Sequence, residues 1–527
     1  MNDVGAARRQ RWRNDLGRWL GVWLLLMAGD SVAGDWTFTP RLGVGTIFTD
    51  NLKQDPPGRE ESALVLEATP GFSLSRQGGR LGVNLDSNLQ NLLAIPEGSS
   101  NINPEVRGTA NAELYQEHLF LNANTSVSQM ATNSNRPQGQ YSLLGQNNTT
   151  VSSYTLNPYL LNNFNDYAKS RISYSYSDVL FGNSGNSNNN TGASNGNIHQ
   201  VNFNLNNGNR FPVLSWQLDY SSYYQNQGQN QNQGQNQNDN TQSVNLQLGY
   251  PLNRAWQFLA RGGYESGDVT GFSSNNGAFA EAGATWTPNR FLALTALQGY
   301  NASEYSVLFN PTLRTQLEIT RSNTNVGVNP GVTWGGTLKH STRFSTWSAS
   351  YTEQATNAQQ QIINQPLFNQ QGNPIYQPGL PFTLRNQNYL DKNFQTSVDY
   401  TRGRSEFTIN AYDEYQEYND STNNEHIYGG GISWSRLLAP RTRSILAGNW
   451  YHVGASQAAG GNSDFWLARV SLTHAFTPDS NGLLQYTHFY NNGNQVNNNN
   501  INNNINNNIN NNNYQENRVE ISLQMTF

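Results

Sequence analysis

The chain contains no cysteine in 527 residues. That removes disulfides, zinc–thiolate centres, iron–sulfur clusters and cysteine nucleophiles together. Charge is also scarce. Asp, Glu, Lys and Arg make up 13% of the residues, against roughly 25% in an average soluble domain. Beyond the N-terminal leader no apolar run of about 20 residues occurs, which excludes membrane crossing by helices. Gly, Asn, Ser, Thr and Tyr crowd out good helix formers, which disfavours a helical soluble protein. The formal net charge is −5, and a mildly acidic chain argues against nucleic acid as a partner. His118, His199, His340, His426, His452, His474 and His488 are scattered, with no metal-ligand spacing among them. No phosphate-binding glycine loop occurs. Asp413 and Glu414 lie near His426 in sequence, a short-range coincidence of the kind expected in a long chain. The expectation is therefore no enzyme, no cofactor and no metal.

The first residues read as an address. Arg8, Arg9, Arg11, Arg13 and Arg18 precede the apolar run from Trp19 to Ala28, and Ser31-Val32-Ala33 offers small residues at a cleavage site. This is the plan of a secretory signal peptide over 1–33, removed from the mature chain.

From Asp35 onward one unit recurs: alternation with a period of two, then a break. Leu81, Val83, Leu85, Leu89 and Leu93 share one face, with Asn84, Asp86, Asn88 and Gln90 on the other. Val201, Phe203 and Leu205 alternate with Asn202, Asn204 and Asn206. Val244, Leu246, Leu248 and Tyr250 alternate with Asn245, Gln247 and Gly249. Such alternation belongs to strands with one apolar and one polar face. The runs are about 10–14 residues long, as a tilted bilayer crossing requires. Only a closed barrel satisfies every backbone group in lipid. The fold class is thus all-β: a single antiparallel up-and-down transmembrane barrel over 34–527. The pattern supports 22 strands, within a range of 20–24, with long extracellular loops alternating with short periplasmic turns.

The remaining features fit that plan. Trp36, Phe48, Tyr115, Tyr224, Tyr250, Tyr264, Trp286, Trp434 and Tyr451 sit near strand ends, where an interfacial aromatic belt belongs. Val519, Ile521, Leu523 and Met525 alternate with polar residues and end on Phe527, resembling the terminal signal read by bacterial barrel-assembly machinery. The low-complexity stretches 182–197, 225–240 and 491–513 are Asn-, Gln- and Ser-rich loops that cannot bury enough to fold. Ile501, Ile505 and Ile509 recur every four residues within the last. The loop 352–392 differs, since Leu367, Phe368, Ile375, Tyr376, Leu380 and Phe382 are too apolar for a solvated segment. It is expected to enter the lumen as a constriction or to cap the mouth. The segment 303–326 is second in line, and its Phe309–Ile319 stretch has the look of an extra strand. By parity Glu67, Asp86, Asp219, Arg261, Glu265, Glu281, Glu406 and Glu414 point into the lumen, where charge tunes passage.

Two short stretches carry a resemblance. Trp36-Thr37-Phe38-Thr39-Pro40-Arg41-Leu42-Gly43-Val44 leads to Thr49-Asp50-Asn51-Leu52, and Ala68-Thr69-Pro70-Gly71-Phe72 follows. They resemble the outer-membrane barrel proteins associated with the PEP-CTERM/exosortase system, found with exopolysaccharide genes. The resemblance implies a part in export or assembly of exopolysaccharide or surface proteins in the outer membrane of a Gram-negative bacterium. Polysaccharide, export-machinery components and outer-membrane lipid would be the partners. The residues alone leave open a general diffusion porin for small neutral solutes, or a structural, adhesive surface protein. By local chemistry Asp50-Asn51 is an Asx turn at a strand end, and Thr69-Pro70-Gly71 a kink.

Overall fold

The computed structural model describes residues 36–131, 143–144, 148–182, 194–227, 237–364, 384–385, 387–418, 424–455, 462–495, 510–511 and 513–527. Residues 1–33, where a signal peptide is expected, the apolar residues Leu367 to Phe382, and Ile501, Ile505 and Ile509 lie outside the described residues.

Twenty-four strands form the wall. They are β1 Trp36–Thr49, β2 Ala63–Gln77, β3 Leu81–Ile95, β4 Ser100–Tyr115, β5 Leu119–Ala131, β6 Asn148–Phe164, β7 Ala168–Phe181 and β8 Gly196–Asn207. Next come β9 Ser215–Gln227, β10 Gln237–Pro251, β11 Trp256–Asp268, β12 Gly277–Asn289, β13 Leu292–Tyr300, β14 Ala302–Thr312, β15 Thr315–Thr324 and β16 Gly331–Ser341. The last are β17 Ser345–Asn357, β18 Asn388–Arg402, β19 Ser405–Tyr418, β20 Glu425–Ala439, β21 Thr442–Ala455, β22 Ser463–Thr477, β23 Ser480–Gln495 and β24 Tyr514–Thr526. Each pairs antiparallel with its sequence neighbours. β24 returns to β1 in a register running from Arg41↔Thr526 to Thr49↔Arg518, which closes the barrel. One short helix, α1 Ala358–Asn364, follows β17.

The count is 24, not 22. The missing pair is the hairpin of β14 and β15 inside the segment read as a loop. β13 turns into β14 through Asn301 alone, whose φ is +59°. A one-residue connection on the loop side breaks the long–short alternation, as does the short link from Ile95 to Ser100. Asn tolerates the left-handed region because its short polar side chain bonds locally. Its side chain donates to the Ala278 carbonyl at 2.9 Å. Strands also run further toward that side than their composition suggests. β9 reaches Gln227, β10 begins at Gln237 and β23 reaches Gln495, all within Asn/Gln-rich stretches. The ladder uses backbone groups, so once flanking strands are paired it extends into any residues that can be extended.

The two faces differ as a bilayer demands. Val244 (38% exposed), Leu246 (42%), Leu248 (37%) and Tyr250 (48%) are uncovered on one face of β10. The same holds for Leu64, Leu66, Ile319, Ile432, Val470 and Ile521. So much bare apolar side chain around a closed ring marks a lipid-facing surface. Stacked pairs such as Trp256 with Trp286 at 6.0 Å and Phe407 with Trp434 at 5.7 Å lie at its edge. Tyr451, expected in that belt, is 2% exposed and packs on Phe465 at 4.9 Å inside the barrel.

Candidate functional site

The parity set occupies the face opposite the lipid. Glu67 accepts hydrogen bonds from Gln90 Nε2 at 2.9 Å and Thr69 Oγ1 at 3.1 Å. Asp86 pairs with Arg41 at 3.3 Å. Asp219 accepts from Asn204 Nδ2 at 2.6 Å and Gln217 Nε2 at 2.8 Å. Arg261 bridges Glu281 and, at 2.9 Å, Glu304. Glu265 stands four residues further along the same strand, against Gly327. Glu406 meets Arg443 at 2.9 Å, half exposed on both sides. Glu414 is fully buried and accepts from Gln416 Nε2 at 2.6 Å. Of the eight, the structure brings only Arg261 and Glu281 into contact. Their partners Arg41, Glu304 and Arg443 were not singled out, because a parity argument names a face and not the neighbour across it.

The Asp413/Glu414/His426 coincidence dissolves. His426 Nε2 lies 3.2 Å from the Asp413 carboxylate on the outer surface. Glu414, the next residue, faces the interior, so the two carboxylates cannot converge on one substrate.

Inside the outer half of the barrel the lumen is entered by α1. Asn357 caps the helix, its Oδ1 accepting from the Gln360 backbone at 3.0 Å in the usual N-cap geometry. Ala358 and Ile362 then pack on Val151 of β6, Val179 of β7 and Leu384. Strands β6 and β7 are ten or more places round the ring from β17, so the helix stands within the lumen and not on its rim. Side-chain amides lock it there. Asn357 Nδ2 donates to Gln225 Oε1 and to Asn388 Oδ1, both at 2.8 Å. Gln225 Nε2 donates to Gln359 Oε1 at 3.1 Å. Gln359 donates to the Ser194 carbonyl at 2.8 Å. Asn388 Nδ2 reaches Asp239 Oδ2 and the Thr270 carbonyl, each at 2.9 Å. Gln225 and Gln359 are wholly buried. A buried network of this kind is strong when its members are satisfied and costly when one is removed. Its bonds join residues up to 165 positions apart, and no local pattern links them.

Beside it lies a second cluster. Tyr389, Asp391 and Asn393 of β18, Tyr412, Glu414, Gln416 and Tyr418 of β19, and Glu425 of β20 share the interior face. Arg385, on the segment returning from α1, pairs with Glu425 at 2.8 Å and lies over Tyr418.

The Trp36–Leu52 stretch that carried the family resemblance lies at the barrel seam. Thr49 Oγ1 donates to Glu516 Oε1 at 2.7 Å. Asp50 accepts from the Asn517 backbone at 2.7 Å and from its side chain at 2.6 Å. Asn51 Nδ2 donates to the Asp55 and Gln515 carbonyls at 2.8 and 3.0 Å. The turn therefore ties the first strand to the last. Pro70 lies within β2, and the β2–β3 ladder skips from Ala68↔Asn91 to Gly71↔Asn88, as a residue without an N–H requires. Any side chain at Gly71 would collide with Asn88 Oδ1.

No protein-family model matches the sequence, and no curated protein matches it. Solved structures similar to it include the siderophore receptor PirA from Acinetobacter baumannii, at 10% identity over 93% of this chain and 81% of that one, TM-score 0.44. The FrpB iron transporter from Neisseria meningitidis aligns at 9% identity over 95% and 82%, TM-score 0.47. The ferric-catecholate import receptor Fiu from E. coli K12 aligns at 10% identity over 93% and 82%, TM-score 0.45. What the chain's own geometry establishes is a large, closed, antiparallel transmembrane β-barrel of 24 strands with a helix seated in its lumen.

Proposed function

We propose that this barrel is a gated outer-membrane conduit for an uncharged, polar, chain-like substrate, polysaccharide being the chemistry that fits, and that it works without catalysis. The observation that carries the reading is α1, held across the outer half of the lumen by Asn357, Gln225, Gln359 and Asn388. The periplasmic half is lined by amides and hydroxyls, with Asn84, Asn111, Gln217 and Gln247 open to solvent. Such a wall exchanges hydrogen bonds with sugar hydroxyls without trapping them, as passage requires. Of the inward charges Glu67, Asp86, Asp219, Arg261, Glu265, Glu281, Glu406 and Glu414, Asp86, Arg261, Glu281 and Glu406 are held in ion pairs, and Glu67, Asp219 and Glu414 accept from side-chain amides. The resemblance at Trp36–Leu52 and Ala68–Phe72 supports exopolysaccharide export in the same direction. Val519, Ile521, Leu523, Met525 and Phe527 serve in this reading as the signal for the assembly machinery.

Single-channel recording of refolded protein in a planar bilayer tests it. The intact chain should be closed, and replacing 358–387 by an Asn-Gly turn should open it, since β17 and β18 already pair as far as Asn357↔Asn388. A large steady conductance in the intact chain would overturn gating and favour the second reading, a diffusion porin, which free sugar uptake in liposome swelling would then identify.

A further inference from the structure

We infer that Asp391, Glu414 and Gln361 form a site for a hard divalent cation, calcium by its chemistry, which fastens α1 to the barrel wall. Asp391 is 3% exposed and Glu414 is fully buried. Among the described residues no Lys, Arg or His forms an ion pair with either. Arg385 is directed at Glu425 instead. The two carboxylates lie on adjacent strands and on the same face, in a diagonal relation set by Asp391↔Gln416 and Asn393↔Glu414. Diagonal neighbours stand roughly 7–8 Å apart at the backbone, a gap that two carboxylates and one ion can span. Gln361 enters from α1, donating its amide to Glu414.

Several oxygens here lack a hydrogen-bond partner: Asp391 Oδ1, Gln361 Oε1, Tyr389 OH and Tyr412 OH. All four belong to residues of this one interior cluster. Glu414 accepts only from neutral amides, and a buried Asp391 carboxylate oxygen and a buried Gln361 amide oxygen with no donor call for a positive charge. The donor set is oxygen only, with neither imidazole nor thiolate, which selects calcium or magnesium over zinc or copper. Side chains from two strands and a helix are adaptable in spacing, which suits calcium better than the rigid octahedron of magnesium. A cation here would link the helix to β19 as well as to β18, which the amide network already reaches through Asn388. The site stands independently of what the barrel passes.

Terbium tests the site, because Tyr389, Tyr412 and Tyr418 lie beside it and would sensitise its luminescence. With the full refolded chain in detergent, terbium should give saturable emission on tyrosine excitation, displaced by calcium. D391N/E414Q should weaken that binding by at least about tenfold, since affinity follows ligand charge. Calcium over EDTA should also raise the unfolding temperature of the wild type and leave that of D391N/E414Q unmoved. Heat-modifiable gel migration reports whether the double variant folds, and D391N alone serves if it does not. Equal emission from wild type and variant would overturn the proposal. So would a wild type indifferent to calcium, in which case the two carboxyls share a proton. Channel recordings play no part in these readouts, so failure of the gate and failure of the site are distinguishable.

Discussion

The periplasmic and outer halves of the same strands obey different rules. In the periplasmic half one face meets lipid and the other meets water, so residues alternate. Arg469 and Val470 illustrate this, the first inward and the second 49% exposed to the bilayer. In the outer half one face still meets lipid, as at Leu93 (41% exposed), but the inward face is covered. Ile47, Val65, Leu92 and Ala94 cluster inward with Leu52 and Leu143 from the loops. Ile427, Tyr451, Val453, Phe465, Leu467, Phe489 and Tyr514 form another interior cluster on β20–β24. There the barrel has a core, as a soluble protein does, and amide or carboxylate groups appear within it only as networks. The lesson is that the alternating signature reports solvent in the lumen. Where the lumen is filled, the pattern lapses into runs such as Leu92-Leu93-Ala94-Ile95.

Removing 358–387 should convert a closed barrel into an open one, read as conductance. Phe489→Ala, in the outer core, should destabilise by about 3–5 kcal/mol through the cavity it leaves, read by denaturant unfolding in lipid vesicles. Val470→Arg should cost about 2–4 kcal/mol at the lipid face in the same assay, although its neighbour Arg469 is tolerated facing inward. An equal penalty for a new arginine on either face would contradict the assignment of faces. Asn51→Ala should lose about 2–3 kcal/mol, because several buried seam bonds go with it. Arg443→Ala should change stability by less than about 1 kcal/mol, because its pair with Glu406 is half exposed. A large effect there would mean that the periplasmic lumen is drier than its exposure indicates.

Much of the fold was written in local pattern. A two-residue period and one apolar face are properties of consecutive residues, and they identify transmembrane strands wherever water fills the lumen. The hairpin at Asn301 escaped because its turn holds one residue and carries neither Gly nor Pro. Strand ends such as Leu92–Ile95 escaped because alternation stops where the interior closes. The site was less accessible. Glu414 was named by parity, but its neighbours Asp391 and Gln361 come from a segment read as loop, and Gln225, Asn357 and Asn388 look like ordinary polar residues. Their significance comes from burial, which composition does not report.

By itself, then, the sequence determined the class of the molecule: β-strands of bilayer length, one face for lipid, connected as hairpins, with the Thr49–Asn51 turn marked but unexplained. Only the tertiary structure decided that 24 strands close through β1 and β24, that this turn latches the seam, and that α1 crosses the lumen. The reason is range. Periodicity is enforced residue by residue by the pleat and the solvent on each face. Closure, the amide network and the pairing of charges join residues from 20 to several hundred positions apart, and no neighbour in sequence carries their imprint.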